Sequence, residues 1–102
     1  MLIITVNDRY NSLIKAVDEL RKTDSRMKTL GTRVIDSIYR FMKFEMAYDW
    51  EHDNEEQRKW IFCEFFDKRY YEDARFANRR GVGAGQISYI RAIERIAQER
   101  GF

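Results

Sequence analysis

Apolar residues recur at helical spacing along most of this 102-residue chain. Residues three and four positions apart share one face of an α-helix. From about residue 8 to 22 such a face holds Leu13, Val17 and Leu20, and from about 32 to 49 it holds Ile35, Tyr39, Met42 and Met46. Cap-like residues at 23–25 and the Gly-Thr pair at 31–32 predict breaks between these two helices.

A capping box predicts the start of a further helix, with Asp53 as N-cap and Glu56 three positions later. The residues that follow are unusually bulky: Trp60, Ile61, Phe62, Cys63, Phe65 and Phe66. A helix with so little polar surface belongs at the centre of a domain. A short helix over 72–80 and a last helix ending near 99 complete the prediction. The sequence thus predicts one all-α domain over 1–102, a compact bundle of about five helices. Its N-terminal part at 1–50 is helical, and a second region spans 53–99.

Composition narrows the class of protein. Hydrophobic residues make up 44% and charged residues 35% of the chain, which is too apolar for a disordered tail and too charged for a membrane protein. The one cysteine excludes an internal disulfide and fits a reducing cytosol, so we expect a cytoplasmic protein without membrane contact.

Charge is distributed unevenly. Residues 1–44 carry nine basic and five acidic side chains, residues 45–67 carry two and eight, and residues 68–102 carry eight and four. Seven of the eight basic residues in the last block are arginine, the side chain best suited to phosphate contacts. This block predicts a polyanionic partner, although arginine and glutamate can also simply solvate helix faces.

Residues 73–92 contain a turn between two apolar helical stretches. Two short helices that cross around a tight turn need a small residue at the crossing and, four positions later, a residue that tolerates positive φ. An apolar residue must then seal the turn, and the second helix must bury two residues three apart. Six positions meet these needs together: Phe76, Ala77, Gly81, Val82, Ile87 and Ile90.

This is the pattern of a helix-turn-helix, and the segment resembles the DNA-binding helix-turn-helix superfamily. Over residues 55–97 the chain is also similar to region 4 of sigma factors and to small phage regulators of the RinA and ArpU type. Arg80 departs from the family pattern because an apolar residue is usual there, and Gly83 departs because a capping Ser or Thr is common there. Gly83 and Gly85 either let backbone amides approach a phosphate or only loosen the loop. The alternative interpretation is that this segment is an ordinary helical corner that binds nothing.

The resemblance implies which side chains contact double-stranded DNA. The second helix of such a motif lies in the major groove, so its outward positions are expected at 84–86, 88 and 89. The implied base contacts are Gln86, Ser88 and Tyr89, and the implied phosphate contacts are Arg75, Arg79, Arg80, Arg91 and Arg95, unless some pair with nearby glutamates. The implied turn-forming residues are Ala77, Gly81, Val82, Gly83 and Gly85. No Arg or Lys occupies the first helical turn, so modest base discrimination is expected.

The function that the resemblance implies is that of a small phage-type or bacterial transcription regulator. Known examples usually dimerise, and residues 1–50 would then mediate self-association or contact RNA polymerase or another host protein. The apolar stripes of the N-terminal part are either that homodimer face or intramolecular core. Two other functions stay open: a protein-binding module that inhibits a host protein through the acidic segment 45–57, and a DNA-packaging or replication accessory protein.

The sequence contains no recognisable motif for catalysis or metal binding. Cys63 has bulky apolar neighbours and His52 lies before the capping box, which predicts a buried, inert thiol. The acidic residues between 49 and 56 lack a metal-ligand spacing and instead suit a helix start. No Gly-Lys-Ser/Thr follows the glycines at 81–85, so they form no phosphate loop of the Walker type. We therefore expect a protein that is not an enzyme and needs no metal or cofactor.

Overall fold

The computed structural model describes residues 5–23, 25–48 and 54–100, apart from the side chains at 25 and 26. These ranges contain five α-helices and no strand, so the all-α prediction is confirmed. The helices are α1 (Val6–Thr23), α2 (Ser25–Phe44), α3 (Glu55–Asp67), α4 (Ala74–Ala77) and α5 (Ala84–Arg100), with a 3-10 turn at Tyr70–Glu72. The predicted N-cap at Asp53 and residues 49–52 of the acidic segment 45–57 lie outside the described residues.

The break predicted at 31–32 is wrong, because α2 continues through Gly31. Gly31 is buried and lies against α5, where a Cβ at this position would be 2.7 Å from the hydroxyl oxygen of Tyr89. The glycine therefore allows the close approach of two helices instead of ending one.

Helix α3 supplies much of the core, although Trp60, one of its bulky residues, is 41% exposed. It packs against α1 and α2, and the side chains of Ile61, Phe62, Phe65 and Phe66 are fully buried. Its N-cap is Asn54, whose Oδ1 accepts a hydrogen bond from the amide of Gln57 at 2.8 Å. The N-cap of α3 is thus one residue later than predicted.

The helix predicted over 72–80 is much shorter in the structure. Asp73 has extended backbone angles (φ −68°, ψ 131°), and its carboxylate accepts from the amide of Arg75 at 2.8 Å, so α4 begins only at Ala74. It ends at Ala77, with Asn78 as its C-cap. Asp73 is thus an N-cap that the apolar pattern alone does not reveal.

The apolar stripes of α1 and α2 pack into the core of the single chain. Leu13, Val17 and Met42 are fully buried, and Leu20, Ile35, Tyr39 and Met46 are partly buried against the same core. In this single chain, the apolar stripes of α1 and α2 therefore form intramolecular core. In the described part of the chain, no helix combines the length and apolar character needed to cross a membrane.

Candidate nucleic-acid interface

The turn between α4 and α5 is built around Gly81. The carbonyl oxygen of Arg79 accepts from the amide of Val82 at 3.1 Å, which places Gly81 at the third position of a tight turn with φ +90°. A side chain is strained at such a φ, and the turn therefore needs glycine, as the pattern requires. Phe76 is fully buried before the turn, and Val82 packs against the core after it.

The first turn of α5 presents its backbone to solvent. The carbonyl oxygen of Gly83 accepts from the amides of Gln86 at 3.0 Å and Ile87 at 3.4 Å, so Gly83 is the N-cap and supplies no capping side chain. Gly83, Ala84 and Gly85 are all exposed. A partner can approach the helix N-terminus here without meeting bulky side chains.

The expected outward orientation of Gln86 and Tyr89 is wrong, because the two side chains are only 7% and 3% exposed. The side-chain nitrogen of Gln86 donates to the carbonyl oxygen of Gly81 at 2.8 Å. Tyr89 lies beside Gly31 of α2, and burial raises the pKa of its hydroxyl. In this arrangement neither side chain reaches the surface that would face a base.

The outer face of α5 carries Ser88, Arg91 and Arg95, which are all exposed and spaced three and four residues apart. Glu94 lies beside this face but accepts a hydrogen bond from the hydroxyl of Tyr71. Burial, together with this bond, raises the pKa of Tyr71 to about 12. Among the described residues, no carboxylate lies within 4.0 Å of either arginine. The outer face is therefore cationic and free of neutralising ion pairs within those residues.

The three arginines before α5 differ in their environments. Arg75 forms a fork with Asp73, with nitrogen–oxygen distances of 2.8 and 3.2 Å, and this pair lowers the pKa of Asp73. The side chain of Arg79 is three-quarters buried, and its Nη1 lies 3.8 Å from a carboxylate oxygen of Glu45. Arg80 is exposed. Of the three, Arg80 is the one whose guanidinium is both exposed and without an ion pair in the described part of the chain.

The structure places two arginines of α2 beside the Gly81 turn. Arg33 and Arg40 of α2 line a cleft of about 330 Å³ whose other side is formed by Arg79, Arg80 and the Gly81 turn. We call the space between these four arginines the arginine cleft. The signal was present in the sequence, because residues seven apart lie on one face of a helix. The apolar pattern of α2 by itself does not single out this polar face.

Features suited to catalysis or metal binding are sparse in the described ranges. Within them, no group of three His, Cys, Asp or Glu side chains could hold a metal ion. Cys63 is buried, and its Sγ lies 3.6 Å from the carbonyl oxygen of Val6. Burial raises the pKa of this thiol to about 11, which disfavours the nucleophilic thiolate.

Comparisons with protein-family models, curated proteins and solved structures found no match to this chain.

Proposed function

We propose that this protein binds duplex DNA through the Gly81 turn and the outer face of α5. The observation that carries the proposal is the exposed row of Ser88, Arg91 and Arg95. Among the described residues, no carboxylate neutralises the positive charge of the two arginines. Arginine guanidinium groups bind phosphate oxygens well, and contacts to phosphates provide much of the affinity for DNA.

In this proposal, α4, the turn and α5 act as a helix-turn-helix with an unusually short first helix. The buried Phe76, the positive φ of Gly81 and the packing of Val82 support that arrangement. Helix α5 would enter the major groove with its exposed first turn leading. The arginines of its outer face would contact the phosphates on either side of the groove.

The burial of Gln86 and Tyr89 changes which side chains read bases. Ser88 is the one exposed side chain of the three candidates, and a hydroxyl can donate to or accept from several bases. Recognition would therefore rest mainly on phosphate contacts and groove shape, with weak discrimination between sequences. A transcription regulator of the phage or bacterial type would then gain specificity from a second copy or from a partner protein.

The experiment is duplex binding measured by fluorescence anisotropy at several salt concentrations. The double variant Arg91→Gln/Arg95→Gln should bind at least about tenfold more weakly at low salt, and the slope of log K against log salt should fall by about two. The matched control is Lys15→Gln/Lys22→Gln, which removes the same charge from exposed positions of α1 and should keep the wild-type slope.

Two results would contradict the proposal. One is that the wild-type protein shows no duplex binding even at low salt. The other is that both double variants lose affinity and salt slope equally, since binding would then depend on net charge and not on the outer face of α5.

A further inference from the structure

The arginine cleft lies beside the proposed interface and draws its walls from distant parts of the chain. Arg33 and Arg40 come from α2, whereas Arg79 and Arg80 come from the turn that leads into α5. The hydrogen bond from Gln86 to Gly81 joins this turn to the first turn of α5, and α5 packs against α2.

The charge of the cleft is strongly unbalanced. Asp36 is the carboxylate among its lining residues, and it already lies 3.1 Å from the Nε of Arg40. Arg33 and Arg80 are exposed, and no carboxylate of the described residues lies within 4.0 Å of either. Arg40 is paired with Asp36 and Arg79 with Glu45, so Arg33 and Arg80 carry the positive charge that is left over. This charge produces a local field that attracts an anion, and arginine matches the geometry of phosphate oxygens.

Two buried polar atoms of residues that line the cleft form no hydrogen bond among the described residues. The Oε1 of Gln86, on a side chain that is more than nine-tenths buried, accepts no hydrogen bond, and the Nη1 of Arg79 donates none, although it lies 3.8 Å from a carboxylate oxygen of Glu45. Buried polar groups are nearly always paired, so the Nη1 of Arg79 lacks an acceptor that a ligand could supply, whereas a phosphate diester carries no donor for the Oε1 of Gln86. A phosphate oxygen is an acceptor of the kind that Arg79 lacks.

We propose that the arginine cleft binds a backbone phosphate of duplex DNA, so that α2 forms part of the interface. This inference rests on the proposed function, since it assumes that α5 lies against DNA. Arg80 connects the two surfaces, because it lines the cleft and is the second residue of the Gly81 turn. A duplex lying along α5 would therefore bring one of its phosphates to the mouth of the cleft.

The test compares salt-dependent duplex binding of Arg33→Gln/Arg40→Gln with that of Lys15→Gln/Lys22→Gln and of wild type. Loss of one phosphate contact should weaken binding several-fold and reduce the salt slope by about one, whereas the control should keep the wild-type slope. The single variant Arg33→Gln isolates the arginine that has no ion pair in the described residues, and it should show the same change in direction. All of these positions are exposed, and thermal unfolding checks that the variants remain folded.

The outcomes separate this inference from the proposed function. If Arg33→Gln/Arg40→Gln binds like wild type while Arg91→Gln/Arg95→Gln is weakened, the cleft inference is wrong and the α5 interface stands. If wild type does not bind duplex DNA at all, both are wrong.

A second readout identifies the source of the phosphate. The side-chain amide signals of Gln86 in nuclear magnetic resonance spectra should shift when duplex is added and should stay unchanged with inorganic phosphate at the same phosphate concentration. A shift with inorganic phosphate alone would indicate a site for a free anion and would overturn the proposal.

Discussion

The side-chain nitrogen of Gln86 lies 2.8 Å from the carbonyl oxygen of Gly81, to which it donates a hydrogen bond. This bond joins the first turn of α5 to the turn that precedes it. Gln86 is thereby turned inward, although its polar character and position suggest a side chain that meets DNA. Its role in this structure is to hold the turn, and through the turn Arg79 and Arg80.

Replacing Gln86 should weaken the fold. In Gln86→Ala the carbonyl of Gly81 loses its side-chain donor and a buried side chain is removed, so the free energy of unfolding should fall by about 1–2 kcal/mol. Ser88→Ala, two residues further along and exposed, is the control and should change stability by less than about 0.5 kcal/mol. Urea unfolding measures both, and equal stability of Gln86→Ala and wild type would show that the bond does not hold the turn.

Gly81 and Gly85 should respond in opposite directions to the same substitution. Gly81→Ala forces a side chain into φ +90° and should destabilise the protein by about 1 kcal/mol or more. Gly85 lies in α5 with open space around a Cβ, so Gly85→Ala should stabilise by up to about 1 kcal/mol because alanine favours helix. Thermal unfolding compares the two, and a loss of stability in both would contradict this description of the turn.

The contact between Gly31 and Tyr89 predicts a coupled pair. Gly31→Ala would place a Cβ 2.7 Å from the Tyr89 hydroxyl oxygen and should be destabilising, although alanine itself favours helix. Tyr89→Phe removes a buried hydroxyl that has no hydrogen-bond partner among the described residues, and it should be neutral or stabilising. The double variant should therefore be more stable than Gly31→Ala alone. Additive effects in this double-mutant cycle would show that the two residues are not in contact.

Cys63 should react slowly with thiol reagents in the folded protein. Burial raises the pKa of the thiol from 9.0 to about 11, so the thiolate fraction at pH 8 falls by about 100-fold. The unfolded chain then loses its thiol proton first, and this group makes the protein less stable as the pH rises from about 9 to about 11. Labelling at pH 8 with and without denaturant measures the difference, with Cys63→Ser as the blank. Equal rates in the two conditions would mean that the thiol is accessible.

Much of the fold follows from apolar spacing, because α1, α3 and α5 each bury a stripe that the sequence displays. The errors arise where a residue acts through a contact that is distant in sequence. The sequence predicts a helix break at Gly31, yet Gly31 lies inside α2. The hydroxyl of Tyr89 occupies the space that a side chain at this position would need. Asp73 shortens the helix after it through a bond to the amide of Arg75.

Part of the candidate site also follows from the spacing of residues in the sequence. The turn glycine and the arginines of α5 can be located from spacing alone. The inward face of α5 is centred on Gln86, Ile90, Ile93 and Ala97. The spacing of the isoleucines alone does not show that Gln86 and Tyr89 also belong to this face. The arginine cleft depends on α2 lying beside the turn, which requires the tertiary structure.

The most direct test of the DNA interface is a nuclear magnetic resonance titration of ¹⁵N-labelled protein with a duplex at low salt. The proposal predicts that the largest shifts of backbone amide signals fall within residues 79–95, with a second group within 33–40 of α2, while α3 changes little. Unchanged spectra at saturating duplex, or shifts confined to α1 and α3, would contradict the claim that the Gly81 turn and the outer face of α5 bind DNA.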